Sequence, residues 1–170
     1  MEVVSIKCHL VSSPFKGTKI YGQQNNLKTV AIIESKTENA VGYGEAYVGI
    51  YVPEITKLIT EYLGKEFVNI NVDDAIKKIS SFKIPFVSNA GIFKSIIGAI
   101  ETSIYDLKSR TEKIPLYKIF SEQANIPKLY ASGGSVITNI KELDEDLKYA
   151  QDQGFNAFKM RVGKKSWEED

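Results

Sequence analysis

"NIKELDEDLKYAQDQGFNAFKMRV", residues 139–162, holds a helix pattern, a stop and a strand pattern in that order. Asn139 is a helix-capping residue, and Glu142, three residues on, completes a capping box. Ile140, Leu143, Leu147 and Ala150 recur at helical spacing and form one apolar stripe. Gly154 supplies the stop. The residues after it alternate, with Phe158, Met160 and Val162 on one strand face and Lys159 and Arg161 on the other. Upstream, "PKLYAS" (127–132) reads as another strand, with Gly133 and Gly134 behind it. Strand, short helix and strand make a βαβ unit, so the two strands are expected parallel and adjacent.

On pattern alone the paired cations have two readings. Lys159 and Arg161 are either one solvated strand face or two charges gathered at a site. The stretch after them, "KKSWEED" (164–170), spells another capping box from Ser166 to Glu169. A lone βαβ unit leaves strand edges unpaired and apolar surface uncovered. The sequence is therefore read as an N-terminal portion of something longer; the other reading is a natural short protein with a frayed tail.

Before Pro127 the pattern differs. "EVVSIKCHLV" (2–11) alternates, placing Val4, Ile6, Cys8 and Leu10 on one face and His9 on the other. "LKTVAIIES" (27–35) and "AVGYGEAYV" (40–48) follow, the second after a polar turn, which predicts a three-stranded antiparallel meander. The glycines of "GYGEA" (42–46) are attributed to a tight strand connection, not to a phosphate loop. "PEITKLITEYLG" (53–64) opens on proline and closes on glycine, as helices do. "NVDDAIKKISSF" (71–82) predicts a shorter helix. The strongest helical pattern is "NAGIFKSIIGAIETSIYDLKSR" (89–110), where Phe93, Ile96, Ile97, Ile100, Ile104 and Leu107 keep one face. Glu101 and Asp106 lie five apart, a poor facing geometry that favours structural roles over an acid pair. Pro115 begins a further short helix. The long stretch between the first two strands carries Tyr21, and "YVGIYVP" (47–53) carries Tyr47 and Tyr51.

Composition excludes several classes. The chain of 170 residues is 43% hydrophobic and 25% charged with a net charge of +1, so no global field favours nucleic acid or an anionic membrane. Cys8 is the only cysteine, which rules out an intrachain disulfide and suits a reducing cytoplasm. No apolar run approaches the ~18 residues of a membrane span. His9 is the only histidine, so a histidine-rich metal site is not expected.

A meander, a set of helices and then βα steps, in this order, resembles the enolase superfamily, within it the mandelate racemase and muconate-lactonising branch. The likeness is carried by "GYGEAY" (42–47), "GAIETSIYDLKSR" (98–110), "IPLYKIF" (114–120), "YASGG" (130–134) and "GFNAFKMRVG" (154–163). It implies an α+β capping domain over residues 1–126. Residues 127–170 would then be the first βαβ of a truncated (β/α)7β TIM-like barrel. It also implies proton abstraction α to a carboxylate, a carboxylate-bearing small-molecule substrate, Mg2+ in the complete protein, and a homo-oligomer. An acid-sugar dehydratase is expected, with a racemase or epimerase, a cycloisomerase, or a non-catalytic capping and interaction module as alternatives. Lys159 matches the first lysine of the family's Lys-x-Lys motif, a catalytic position. Arg161 stands where the family usually has its lysine base. A guanidinium stays protonated, so Arg161 suits a carboxylate clamp or electrostatic stabiliser better than a base. Tyr21, Tyr47, Tyr51 and Ser132 match places from which the family's loops and first strand reach substrate. No metal ligand is expected among these residues, because the family's metal carboxylates end later strands.

Overall fold

The computed structural model describes residues 1–14, 27–83, 91–133 and 140–160. The chain divides into two compact units, Met1–Ala124 and Asn125–Asp170.

The first unit is built on a meander of β1 (Ser5–Pro14), β2 (Leu27–Lys36) and β3 (Val41–Ala46). Its strands are antiparallel in the order β1-β2-β3, with Cys8 opposite Ile33 and Ile33 opposite Gly44. Alternation buries Ile6, Cys8, Ala31, Ile33 and Ala46 on one face. One expectation fails at the start of β1. Val4 is exposed and Val3 is fully buried. Val3 lies before β1, where its N–H donates to the Ile70 carbonyl and its own carbonyl accepts from the Asn69 N–H. The alternation begins only after that tie, so its phase cannot be extended back to Val4.

Helices cover the buried face. A 3-10 turn (Tyr47–Ile50) leads to α1 (Pro53–Gly64), with Pro53 in its first turn. Gly64 does not end α1 through a left-handed turn. Its φ is −56°, and a Cβ there would sit 3.1 Å from the Ile6 side chain, so the glycine answers to packing. Asn71 caps α2 (Val72–Ser80) by accepting the Asp73 N–H at 3.0 Å. α3 (Gly91–Glu112) is the central helix. Ile96, Ile100, Ile104 and Leu107 are fully buried along its inner face, each worth about 1.5–3 kcal/mol of apolar burial. A last 3-10 turn (Leu116–Ile119) follows Pro115.

The glycines of β3 have a different cause from the one read in the sequence. A Cβ on Gly44 would lie 2.1 Å from the Ala99 carbonyl oxygen, and one on Gly42 would lie 2.2 Å from the Leu107 nitrogen. Both glycines let β3 lie backbone to backbone against α3. Beside this contact the Ser35 hydroxyl of β2 meets the Ser103 hydroxyl of α3 at 2.6 Å, and Ser103 also donates to the Ile100 carbonyl at 2.7 Å. Asp106 accepts the Tyr43 N–H at 2.9 Å and the Arg110 Nε–H at 2.8 Å. It thus has the structural role expected of it.

The second unit holds β4 (Ala131–Ser132), α4 (Ile140–Asp152) and β5 (Phe158–Lys159). β4 and β5 are parallel, as expected. Gly154 has φ +84°, its N–H donates to the Gln151 carbonyl at 2.8 Å, and the Phe155 N–H donates to the Ala150 carbonyl at 3.1 Å. This paired turn is the Schellman ending that favours glycine. Of the α4 stripe, Ala150 is buried and Leu143 half-buried, while Ile140 and Leu147 are exposed. Ile140 is the helix's first residue. Asn139, expected to cap α4, lies outside the described residues.

Substituting alanine at Gly44 should destabilise the chain by about 2–4 kcal/mol, because a Cβ has backbone on its path and α3 must retreat. Gly98→Ala, where among the described residues the added carbon meets nothing within 4 Å beyond its own stretch of helix backbone, should instead stabilise by about 0.5–1 kcal/mol. Urea unfolding of both variants checks the pair, and equal midpoints would remove the packing explanation.

Lys108 ties α3 to α2 through its hydrogen bond and ion pair with Asp73. That hydrogen bond, opposed by partial burial and aided by the Lys108 charge, holds the Asp73 carboxyl below its ordinary range. A carboxyl lowered by folding stabilises the fold above its unfolded pKa and loses that contribution as pH falls through the folded value. Lys108→Met should therefore flatten the loss of stability below about pH 4. Urea midpoints at neutral and acid pH test this; parallel pH profiles for the two proteins would reject it.

Candidate active site

β4 and β5 place two of the expected residues side by side. Ala131 is opposite Phe158, and Ser132 is opposite Lys159. Two hydrogen bonds hold the register: the Ala131 N–H donates to the Ala157 carbonyl at 2.9 Å, and the Gly133 N–H to the Lys159 carbonyl at 3.1 Å. Residues at one level of a parallel pair share a face, so Ser132 and Lys159 share one and Ala131 and Phe158 the other.

Phe158 identifies the faces. With Leu147, Ala150 and Phe155 it lines the groove between α4 and β5. Its ring tip would be 2.7 Å from a Cβ on Gly133, so that glycine leaves room for the ring. The face turned to α4 is therefore the apolar one, as the alternation predicted for Phe158. Ser132 and Lys159 project from the opposite face, and both are exposed. Arg161 lies outside the described residues.

Tyr47 and Tyr51 belong to the first unit. Their rings meet edge to face at a centroid distance of 5.9 Å, and their hydroxyls are 3.3 Å apart. Tyr47 leaves 64% of its surface exposed and Tyr51 46%. Tyr21 lies outside the described residues. Among the described residues, no group of three or more His, Cys, Asp or Glu is placed to hold a metal ion. These residues by themselves do not supply a magnesium site. No helix among them is long and apolar enough to cross a membrane.

No family model matches the chain. Over 96% of its length it matches 45% of a solved chain described as a member of the enolase superfamily from Polaromonas sp. JS666, with a TM-score of 0.78 at 22% identity. The fold is that of the enolase superfamily. A mandelate racemase/muconate lactonizing enzyme-like protein from Rubrobacter xylanophilus matches over 99% of this chain and 47% of its own, with a TM-score of 0.79 at 18% identity. An enolase from Bradyrhizobium, solved with magnesium and mandelic acid, matches over 97% of this chain and 46% of its own, with a TM-score of 0.76 at 17% identity.

Sequence comparison finds relatives with several activities. A hydrophobic dipeptide epimerase from Citrifermentans bemidjiense is 29% identical over 91% of this chain. An arabinonate dehydratase from Saccharolobus solfataricus is 26% identical over 86% of it. A 3,6-anhydro-alpha-L-galactonate cycloisomerase from Streptomyces coelicolor is 27% identical over 52% of it and 25% of its own length. The chain spans 42% and 40% of the length of the first two relatives.

Phe158→Ala should empty the groove beside α4 and loosen the strand pair. Amide exchange at Ala131 and Gly133 is expected to quicken by roughly 10- to 100-fold. Lys159→Met, on the exposed face, should leave both amides protected. Exchange that responds to Lys159 and not to Phe158 would mean that the faces have been assigned the wrong way round.

Proposed function

We propose that this chain forms the front of an enolase-superfamily enzyme that abstracts a proton α to a carboxylate, with dehydration of an acid sugar as its reaction. The placement of Ser132 beside Lys159, on the strand face turned away from α4, carries the reading. In a barrel that face lines the lumen, and catalytic groups sit at the C-terminal ends of the strands. In this reading residues 1–126 are the capping domain and 127–170 the start of the barrel. The sequence alternation puts Arg161 in phase with Lys159. Lys159 neutralises a substrate carboxylate, Arg161 clamps it through its planar fork, and Ser132 donates a hydrogen bond. Tyr21, Tyr47 and Tyr51 are proposed to select the substrate. Arg161 keeps its proton, so the group that removes the α-proton comes from outside these residues. Mg2+ enters this reading only as a cofactor of the complete protein, and none of these residues would hold it.

Epimerisation is the second reading, favoured by the hydrophobic dipeptide epimerase among the relatives. It requires a second acid–base group facing the opposite side of the α-carbon. A lysine at position 161 would supply one, and arginine does not.

The test uses the full-length protein that carries this chain, assayed with a panel of acid sugars and dipeptides in heavy water. Lys159→Met should lower kcat/KM by about 10²- to 10³-fold while the protein stays folded. Arg161→Met should cost roughly 2–4 kcal/mol of transition-state stabilisation, and Arg161→Lys should keep part of the activity. Loss of water without deuterium in recovered substrate supports dehydration; deuterium wash-in with inversion supports epimerisation. Near-normal turnover in both methionine variants would reduce the two cations to a solvated strand face.

A further inference from the structure

The strand face that carries Ser132 and Lys159 continues below them. Tyr130 directly precedes β4, and alternation returns it to the Ser132 face. The register of Ala131 opposite Phe158, taken one residue back, sets Tyr130 level with Ala157. The Ala131 N–H bond to the Ala157 carbonyl holds that level at 2.9 Å. The face therefore has two tiers. Tyr130 and Ala157 form the lower one, and Ser132 and Lys159 the upper one, toward the C-terminal ends of the strands. Ala157 contributes only a methyl group to the lower tier. Tyr130 leaves 59% of its surface exposed, and its hydroxyl has no hydrogen-bond partner among the described residues.

A phenol closed inside a protein takes a hydrogen bond at its oxygen. If the face lines a barrel lumen, the lower tier is closed off from bulk water. Few polar groups on the face are then within its reach. Lys159 stands two residues beyond Ala157, on the diagonal from Tyr130. Diagonal neighbours on adjacent strands lie within reach of aromatic and long side chains. A lysine ammonium has three hydrogens to donate, and a carboxylate above it cannot take all of them in good geometry. The phenol oxygen below can accept one, and its ring keeps water from beneath the ammonium. A bond of this kind, with a charged donor, is roughly twice as strong as a neutral one.

We infer, on the footing of the reaction proposed above, that Tyr130 is a positioning residue: its hydroxyl accepts a hydrogen bond from the Lys159 ammonium and holds that group up toward the substrate carboxylate. Tyr130 acts through Lys159 and touches no reacting atom. The bond also favours the charged form of the lysine.

The test uses the full-length protein that carries this chain. Tyr130→Phe removes one oxygen and keeps the ring, so the circular dichroism of the parent should be retained. It should lower kcat/KM by about 10-fold. In a Lys159→Met background the same change should cost less than about 2-fold, because the group it acts through is gone. The alkaline limb of the kcat/KM profile should also move to lower pH in Tyr130→Phe, since loss of the acceptor makes the ammonium easier to deprotonate. Equal losses in both backgrounds, or an unmoved alkaline limb, would make Tyr130 a packing residue and overturn the inference. So would a Tyr130→Phe enzyme that matches the parent, or one that loses its fold. Near-normal turnover in Lys159→Met overturns the proposed reaction along with this inference; strong dependence on Lys159 with an indifferent Tyr130→Phe overturns this inference alone.

Discussion

The first unit depends on β3 lying against α3 with no side chain between their backbones. Gly42 and Gly44 make that approach possible, and the rest of the unit is arranged around it. β3 is an edge strand in the order β1-β2-β3. Its outward N–H at Tyr43 would face solvent or another chain, but Asp106 of α3 accepts it. The helix that packs the sheet thus also protects its edge. Next to it, the buried Ser35 of β2 and Ser103 of α3 satisfy each other with a mutual hydrogen bond. α2 is tied to α3 through the Asp73–Lys108 pair, and α1 lays Thr56, Thr60 and Leu63 inward on the same core.

Where local pattern and tertiary need agree, the sequence was legible. α3 announces itself through six apolar positions on one face, and of these Ile96, Ile97, Ile100, Ile104 and Leu107 are buried. Pro53 and Asn71 start their helices for local reasons that need no knowledge of the neighbours. Reading failed where distant backbone decides. Val3 is inside and Val4 outside because Asn69 and Ile70 capture the chain before β1 begins. The purpose of Gly42, Gly44 and Gly64 is fixed by atoms of α3 and β1 far away in sequence. Ile140 kept helical spacing with Leu143, yet periodicity says nothing about whether a covering surface extends that far.

The candidate site was legible in part for the same reason. Alternation separates Lys159 from Phe158 on any strand, and the groove beside α4 then assigns Phe158 to the helix side. The partnership of Ser132 with Lys159 required the register between two strands, which no local pattern carries. Tyr47 and Tyr51 were found as a tyrosine-rich turn, but their edge-to-face contact depends on the 3-10 turn that joins them.

The Schellman ending at Gly154 has a consequence for how this chain tolerates insertion. The turn fixes where α4 stops and in which direction the next residues leave it, through the Gly154 and Phe155 N–H bonds. Between Phe155 and β5 only Asn156 and Ala157 intervene, and the Ala157 carbonyl already accepts the Ala131 N–H. The connector is thus bonded at both ends and holds almost no slack. A residue added there would have to bulge outward or break one of the two ties, so the reach of this segment is set by backbone hydrogen bonds and is indifferent to side-chain identity.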